Sequence, residues 1–193
     1  MSDPVVTRAL VMEKMDSTMR AYQQDLSSQV AFGEILVERA MSYLRQPYSD
    51  KPNPPNTFDC STFVVWCAKE AGNPGLLQTS YGSGRGSRDL FRSCTSFVAK
   101  GNLQPGDLVF TKNDISDKDV GHVAIYIGGG KIIHAVEGSS KCVKVNYLID
   151  SWLQKDGTRR SYDQLTMGYG RLGFGITSSS PASLERSRRN ISF

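Results

Sequence analysis

Three side chains in this sequence have the types that nucleophilic thiol chemistry needs: Cys60, within Asp59-Cys60-Ser61-Thr62-Phe63, and the chain's only two histidines, His122 and His134. The reactive form of cysteine is the thiolate, which is favoured where unsatisfied backbone N–H groups and the positive end of a helix dipole face the sulfur. Cys60 is placed for that environment, directly after a polar loop and Asp59, a good N-cap. A nearby imidazole can take the thiol proton and later protonate a leaving amine, while a second polar group fixes its tautomer and orientation. In that arrangement His122 is the general base, His134 orients it, and the Cys60 N–H helps to hold the oxyanion.

Strand register decides whether both imidazoles can serve one site. Gly121 to Ile127 alternates, so His122 shares a face with Ala124 and Tyr126, opposite Val123, Ile125 and Ile127. Gly128-Gly129-Gly130 then turns the chain into Lys131–Val136, which carries His134. Pairing Ile127 with Lys131 leaves a glycine loop and puts the two histidines diagonal, about 7–8 Å apart by backbone; pairing Tyr126 with Gly130 puts them directly opposite. A slip of one residue sends them to opposite faces.

The surrounding elements are expected in two blocks. Residues 1–33 read as a helical extension whose Val11, Met12, Met15, Met19, Tyr22 and Leu26 form one apolar stripe, expected to dock on the body. Gly33 is expected to mark a break before a second amphipathic helix over 34–46, stopped by Pro47. A Pro- and Asn-rich loop over 47–58 leads to a buried helix over 60–71, closed by Gly72. Residues 73–101 read as loop-rich, with a short helix near Asp89 to Cys94. After Leu103-Gln-Pro-Gly-Asp107 the period changes to two, predicting strands at Leu108–Thr111, Val120–Ile127, Lys131–Val136, Val143–Tyr147 and near Tyr169–Phe174. A short helix is expected over Leu148–Gln154. Helices followed by a meandering antiparallel sheet make an α+β fold. Residues 176–193 read as a mobile Ser- and Arg-rich tail.

Four stretches together resemble a known family: Phe58-Asp-Cys-Ser-Thr-Phe-Val64, Leu103-Gln-Pro-Gly-Asp-Leu-Val-Phe110, Gly121-His-Val-Ala-Ile-Tyr-Ile-Gly128 and Ile132-Ile-His-Ala135. In this order they look like the NlpC-type cysteine peptidases, papain-like enzymes that cut peptide stems of bacterial cell walls. The resemblance covers about residues 34–175 and implies N-terminal helices packed on a central antiparallel sheet, with the nucleophile at a helix N-terminus. It maps the nucleophile onto Cys60, the base onto His122 and the orienting residue onto His134. Hydrolysis of the bond between D-glutamate and a diamino acid is implied, through a thioester acyl-enzyme. Peptidoglycan or a muropeptide is then the substrate, and no cofactor or metal is implied. On the substrate side the resemblance points to Tyr48, to Asp59 and Ser61 around the nucleophile, and to Arg85 and Ser87 in an Arg-x-Ser stretch. The chain departs from the family where Ser49-Asp-Lys-Pro-Asn53 replaces the frequent Trp-Gly-Gly and where Thr62 replaces a glycine.

Other readings remain beside it. Cys60, His122 and His134 have the types of three zinc ligands, but the close ligand pairs usual for structural zinc are absent. A peptidoglycan amidase of the same thiol class, or a non-catalytic module that binds wall peptides or a protein, would use a similar sequence. The four cysteines make no disulfide framework, and Cys67, Cys94 and Cys142 read as incidental thiols. A net charge of +4 without runs of basic and aromatic residues gives nucleic-acid binding little support. No membrane insertion and no secretory signal are read from the sequence. The expectation is a protein cytoplasmic as synthesised, exported by a non-classical route, injected or phage-delivered, with a delivery or immunity protein as a partner.

Overall fold

One unbroken helix, α1 (Pro4–Ser42), occupies the first part of the chain. The structure, a computed structural model, describes residues 4–73, 76, 86–138 and 140–173. The break expected at Gly33 is not there. Gly33 instead permits a close crossing: a Cβ on it would collide with the Pro105 carbonyl oxygen, and one on Gly106 would collide with Gly33. Gly106 also has φ +92°, a conformation that glycine adopts without steric cost. On either side of this crossing Phe32, Leu36 and Ala40 are buried, and Gln29 Nε2 donates to the Leu172 carbonyl. Upstream of that bond residues 10–27 are all exposed. The stripe from Val11 to Leu26, expected to dock, is 46–59% exposed at every one of its six positions.

The loop after α1 ends at Asp59, and α2 (Cys60–Glu70) begins at the cysteine. Its start is held by a reciprocal capping box: Asp59 Oδ1 accepts from the Thr62 N–H at 2.7 Å, and Thr62 Oγ1 accepts from the Asp59 N–H at 3.0 Å. Thr62, a departure from the family pattern, thus has a local role. A short helix, α3 (Gly86–Asp89), runs into a π-helical turn over Leu90–Cys94, where one short helix was expected.

Among the described residues eight strands follow: β1 (Thr95–Val98), β2 (Leu108–Thr111), β3 (His122–Gly128), β4 (Lys131–Val136), β5 (Cys142–Tyr147), β6 (Ser151–Leu153), β7 (Arg159–Ser161) and β8 (Thr166–Leu172), with α4 (Tyr162–Leu165) between the last two. Six form one antiparallel sheet in the order β1-β8-β2-β3-β4-β5. One face packs on α2 and the lower part of α1, burying Leu36, Phe58, Phe63, Leu108, Phe110 and Ile125 among others. The opposite face carries Val109, Ala124, Ile132 and Tyr169 beneath Leu148 and Tyr162. The architecture is α+β and papain-like. An ion pair between the half-buried Arg171 and the buried Asp107 ties β8 to the turn before β2, with Arg171 Nε 2.7 Å from Asp107 Oδ1.

Leu148–Gln154 is not a helix. Asp150 Oδ2 accepts from the Tyr147 N–H at 2.8 Å, which makes a turn, and the chain then enters β6, paired with β7. Strand β1 has no clear period-two signal because Ser96 and Phe97 are both exposed. Phe174 and the tail of 176–193 lie outside the described residues.

Candidate active site

The register between β3 and β4 brings the histidines together. Ile125 faces Ile133 and Tyr126 faces Ile132, with an irregularity at Gly128 and Lys131 next to the turn. The body of the hairpin therefore has the diagonal register, an even one, so His122 and His134 project from the same face. Their rings meet edge to face, with centroids 4.9 Å apart, and His122 Nε2 lies 2.7 Å from His134 Nδ1. His134 is fully buried, packed 5.2 Å from the Tyr162 ring. Its other nitrogen, Nε2, lies 3.1 Å from Asn146 Oδ1 on β5.

Cys60 approaches from the other side of the sheet, where α2 packs. Its half-buried sulfur meets the sheet at the start of β3, where the Val123 N–H, one residue from His122, is directed at it. The N–H groups of Ser61 and of Cys60 itself also face the sulfur. These donors favour the thiolate, as the helix-tip position suggests. Burial outweighs them, with the Asp59 carboxylate adding to it, and pushes the thiol up to about 12. The resting group is therefore a thiol, where helix position alone points to an activated thiolate. Burial also holds the His122 imidazole well below the ordinary histidine range, and His134 lowers it further. His134 is lowered to about 4 by burial, against an upward pull from its Asn146 bond and with the charge of Lys144 adding to the depression. Both rings are neutral at pH 7. At rest the thiol and the imidazole are both neutral, so they do not form a thiolate–imidazolium ion pair.

The histidine face opens into a cleft of about 380 Å³ whose walls include Lys112, His122, Lys144, Asn146, Trp152 and Tyr162. Thr111, directly opposite His122 across β2 and β3, also lines it, and its buried Oγ1 has no hydrogen-bond partner among the described residues. Among those residues no three His, Cys, Asp or Glu side chains are grouped to hold a metal ion. No helix among them is long and apolar enough to cross a membrane.

The residues expected on the substrate side are scattered in role. Tyr48 packs against the same core cluster as Cys60; its hydroxyl is 3.0 Å from Asp50 Oδ1, and burial, then that bond, raises its pKa. Asp59 and Ser61 are engaged in the helix cap, with Ser61 Oγ donating to Asp59 Oδ1 at 2.9 Å. Ser87 is half-buried in α3 and is not part of the cleft wall; Arg85 lies outside the described residues. Lys144, Asn146, Asp150 and Trp152 escaped the sequence reading. A signal for two of them existed: Val143 and Val145 alternate with Lys144 and Asn146, and His134 pairs directly with Lys144.

The NlpC/P60 family model matches residues 45–160, a span that holds the cysteine, both histidines and all of the cleft wall but Tyr162. Over 107 residues the chain is 31% identical to the bifunctional muramidase/DL-endopeptidase CwlT of Bacillus subtilis, covering 54% of this chain and 29% of that protein. Over 108 residues it is 34% identical to the probable endopeptidase p60 of Listeria welshimeri, covering 55% of this chain and 18% of that one. The chain thus spans less than a third of the length of these two relatives. A solved structure of an NlpC/P60 family protein from Bacillus cereus is similar over 73% of this chain and 40% of its own, with a TM-score of 0.52 and 25% identity.

Proposed function

The chain belongs to the NlpC/P60 family, and from that premise we propose that it is a cysteine endopeptidase that hydrolyses peptidoglycan stem peptides at the D-glutamyl–diamino acid bond. The observation that carries the reading is the His122–His134 contact of 2.7 Å next to the strand start that meets the Cys60 sulfur. The relatives, endopeptidases by name in both cases, support it. The cleft wall carries two cations, Lys112 and Lys144, and two carboxylates, Glu137 and Asp150, which suits a peptide bearing both carboxylates and free amines.

In this reading the Cys60 sulfur attacks the substrate carbonyl as His122 takes the thiol proton. The C–S bond forms, and the oxyanion is met by the N–H of Cys60 at the start of α2, where backbone donors lack partners within the helix. His122 then passes its proton to the amine nitrogen as the C–N bond breaks, leaving a thioester. A water that gives its proton to His122 attacks the thioester carbon, and the sulfur leaves with that proton to regenerate the thiol. His134 keeps the His122 ring in place throughout, and Tyr48 stands on the substrate side of the sulfur.

Incubation with defined muropeptides followed by product masses tests the proposal. Fragments ending in D-glutamate and beginning with the diamino acid are expected. Products cut between the lactyl group and L-Ala would replace the endopeptidase reading with an amidase one. Intact muropeptides after treatment with folded protein would remove the activity.

A further inference from the structure

Beyond the two histidines, the hydrogen-bonded chain continues for two more residues. Asn146 Nδ2 donates to Asp150 Oδ2 at 2.7 Å, and the same carboxylate oxygen accepts from the Tyr147 N–H at 2.8 Å. These two donors, Asn146 first, hold the Asp150 carboxyl below its ordinary range, so it is ionised at neutral pH. An ionised carboxylate only accepts hydrogen bonds. The Asn146 amide is thereby given one orientation, because turning it over would set its carbonyl oxygen against a carboxylate oxygen.

The consequence runs inward one bond at a time. With Nδ2 committed to Asp150, Asn146 presents Oδ1 to His134, and an oxygen acceptor requires His134 Nε2 to carry the proton. A neutral His134 protonated at Nε2 has its lone pair at Nδ1. His122 must then donate to that lone pair from its own Nε2, across the 2.7 Å contact. The nitrogen left unprotonated on His122 is Nδ1, and it is the atom available to receive a thiol proton. Reversing any one of these bonds would place a proton on His122 Nδ1 and remove the base.

We propose that Asp150, acting through Asn146, is a positioning residue that sets the tautomer of both histidines and so selects the nitrogen of His122 that takes the Cys60 proton. Its effect on turnover rests on the peptidase reading above; its effect on the tautomers rests on the hydrogen-bond geometry alone. Asp150 touches neither the sulfur's donors nor the imidazoles, and it works by allowing only one direction along a chain of four side chains.

The test uses the full chain labelled with ¹⁵N, in which the two histidines give only four ring nitrogens to observe. Long-range ¹H–¹⁵N correlation spectra are recorded above the ordinary histidine pKa range. Wild type is expected to show both rings protonated at Nε2 and bare at Nδ1. In D150N the residue at 150 can donate as well as accept, so the amide of Asn146 is released to turn. Both rings should then show mixed tautomers, and kcat on a muropeptide should fall by about tenfold or more with KM within about twofold. The exchange N146D/D150N restores an acceptor toward His134 and a donor at the next position, so it should return the wild-type tautomers and most of kcat. Protonation of His134 at Nδ1 in wild type would overturn the inference. So would tautomers and kcat in D150N that match wild type. If D150N does not fold, D150A decides: mixed tautomers support the relay, and wild-type ones overturn it. A shift of tautomers in D150N, with no cleavage by wild type, would uphold the relay and overturn the peptidase reading.

Discussion

Two parts of α1 carry one apolar stripe and meet opposite fates. Met12, Met15, Met19, Tyr22 and Leu26 recur at three- and four-residue intervals, and the same spacing continues through Gly33, Leu36 and Ala40. Met15 and Met19 are 59% and 56% exposed, whereas Leu36 and Ala40 are fully buried. Length explains the difference. A helix of 39 residues is roughly 58 Å long at 1.5 Å per residue. A domain of roughly 140 residues has a radius of gyration of about 14 Å, so a straight helix of that length overhangs it. Periodicity reports which face of a helix is apolar, and it does not report where along the helix a partner surface ends.

The contrast between a body that does chemistry and a helix segment that only extends from it can be broken at several points. The largest effects belong to the site. Cys60→Ala and His122→Ala should each cut muropeptide turnover by roughly 10⁴-fold or more, while thermal melting of Cys60→Ala stays close to wild type. His134→Ala should lose less, because the base remains and only its orientation is disturbed; equal loss would give His134 a larger part than positioning. Next come the two ends of the stripe. Leu36→Ala should destabilise by about 2–5 kcal/mol in denaturant unfolding, against a change within about 0.5 kcal/mol for Met15→Ala. Comparable losses at both would mean that the upper stripe is packed in solution.

Acidification should sharpen the comparison further. Both histidines titrate lower in the fold than the ordinary value near 6.5. Between that value and about 4, where His134 titrates, the unfolded chain binds more protons than the folded one, so protonation favours unfolding. Stability should be full above about pH 6.5 and fall as the pH drops, by at most about 1.4 kcal/mol per pH unit for each histidine. Urea midpoints that stay flat over this window would contradict buried neutral rings. The smallest effect is expected from removing residues 1–27, upstream of the Gln29 bond to Leu172. The melting temperature of the body should not move, and a loss above about 1 kcal/mol would assign the segment a stabilising contact.

Much of the site was legible because its residues are rare and its elements are strongly patterned. Two histidines in the whole chain, alternation on either side of a triple glycine and a capping Asp before Cys60 left few arrangements open. The rest depended on neighbours distant in sequence. Gly33 reads as a helix break until Gly106 is seen against it. Asp59 reads as the cap of α2 from sequence alone, but that Ser61 Oγ donates to the same carboxylate oxygen does not. Asn146 reads as an ordinary strand residue until β5 lies beside β4 and its amide meets His134.

What the residues determined by themselves was local: a helix beginning at a cysteine, two histidines on the strands of one hairpin, and apolar stripes over Val11 to Leu26 and within 34–46. These follow from backbone geometry of period 3.6 or 2 and from capping chemistry, which act over a few residues. Tertiary structure alone decided three other matters: where along α1 burial begins, that burial keeps the proton on the Cys60 sulfur, and which nitrogen of each histidine is bonded. Burial, proton affinity and hydrogen-bond direction all depend on the atoms that surround a group, and the fold supplies those atoms from elements far apart in the chain.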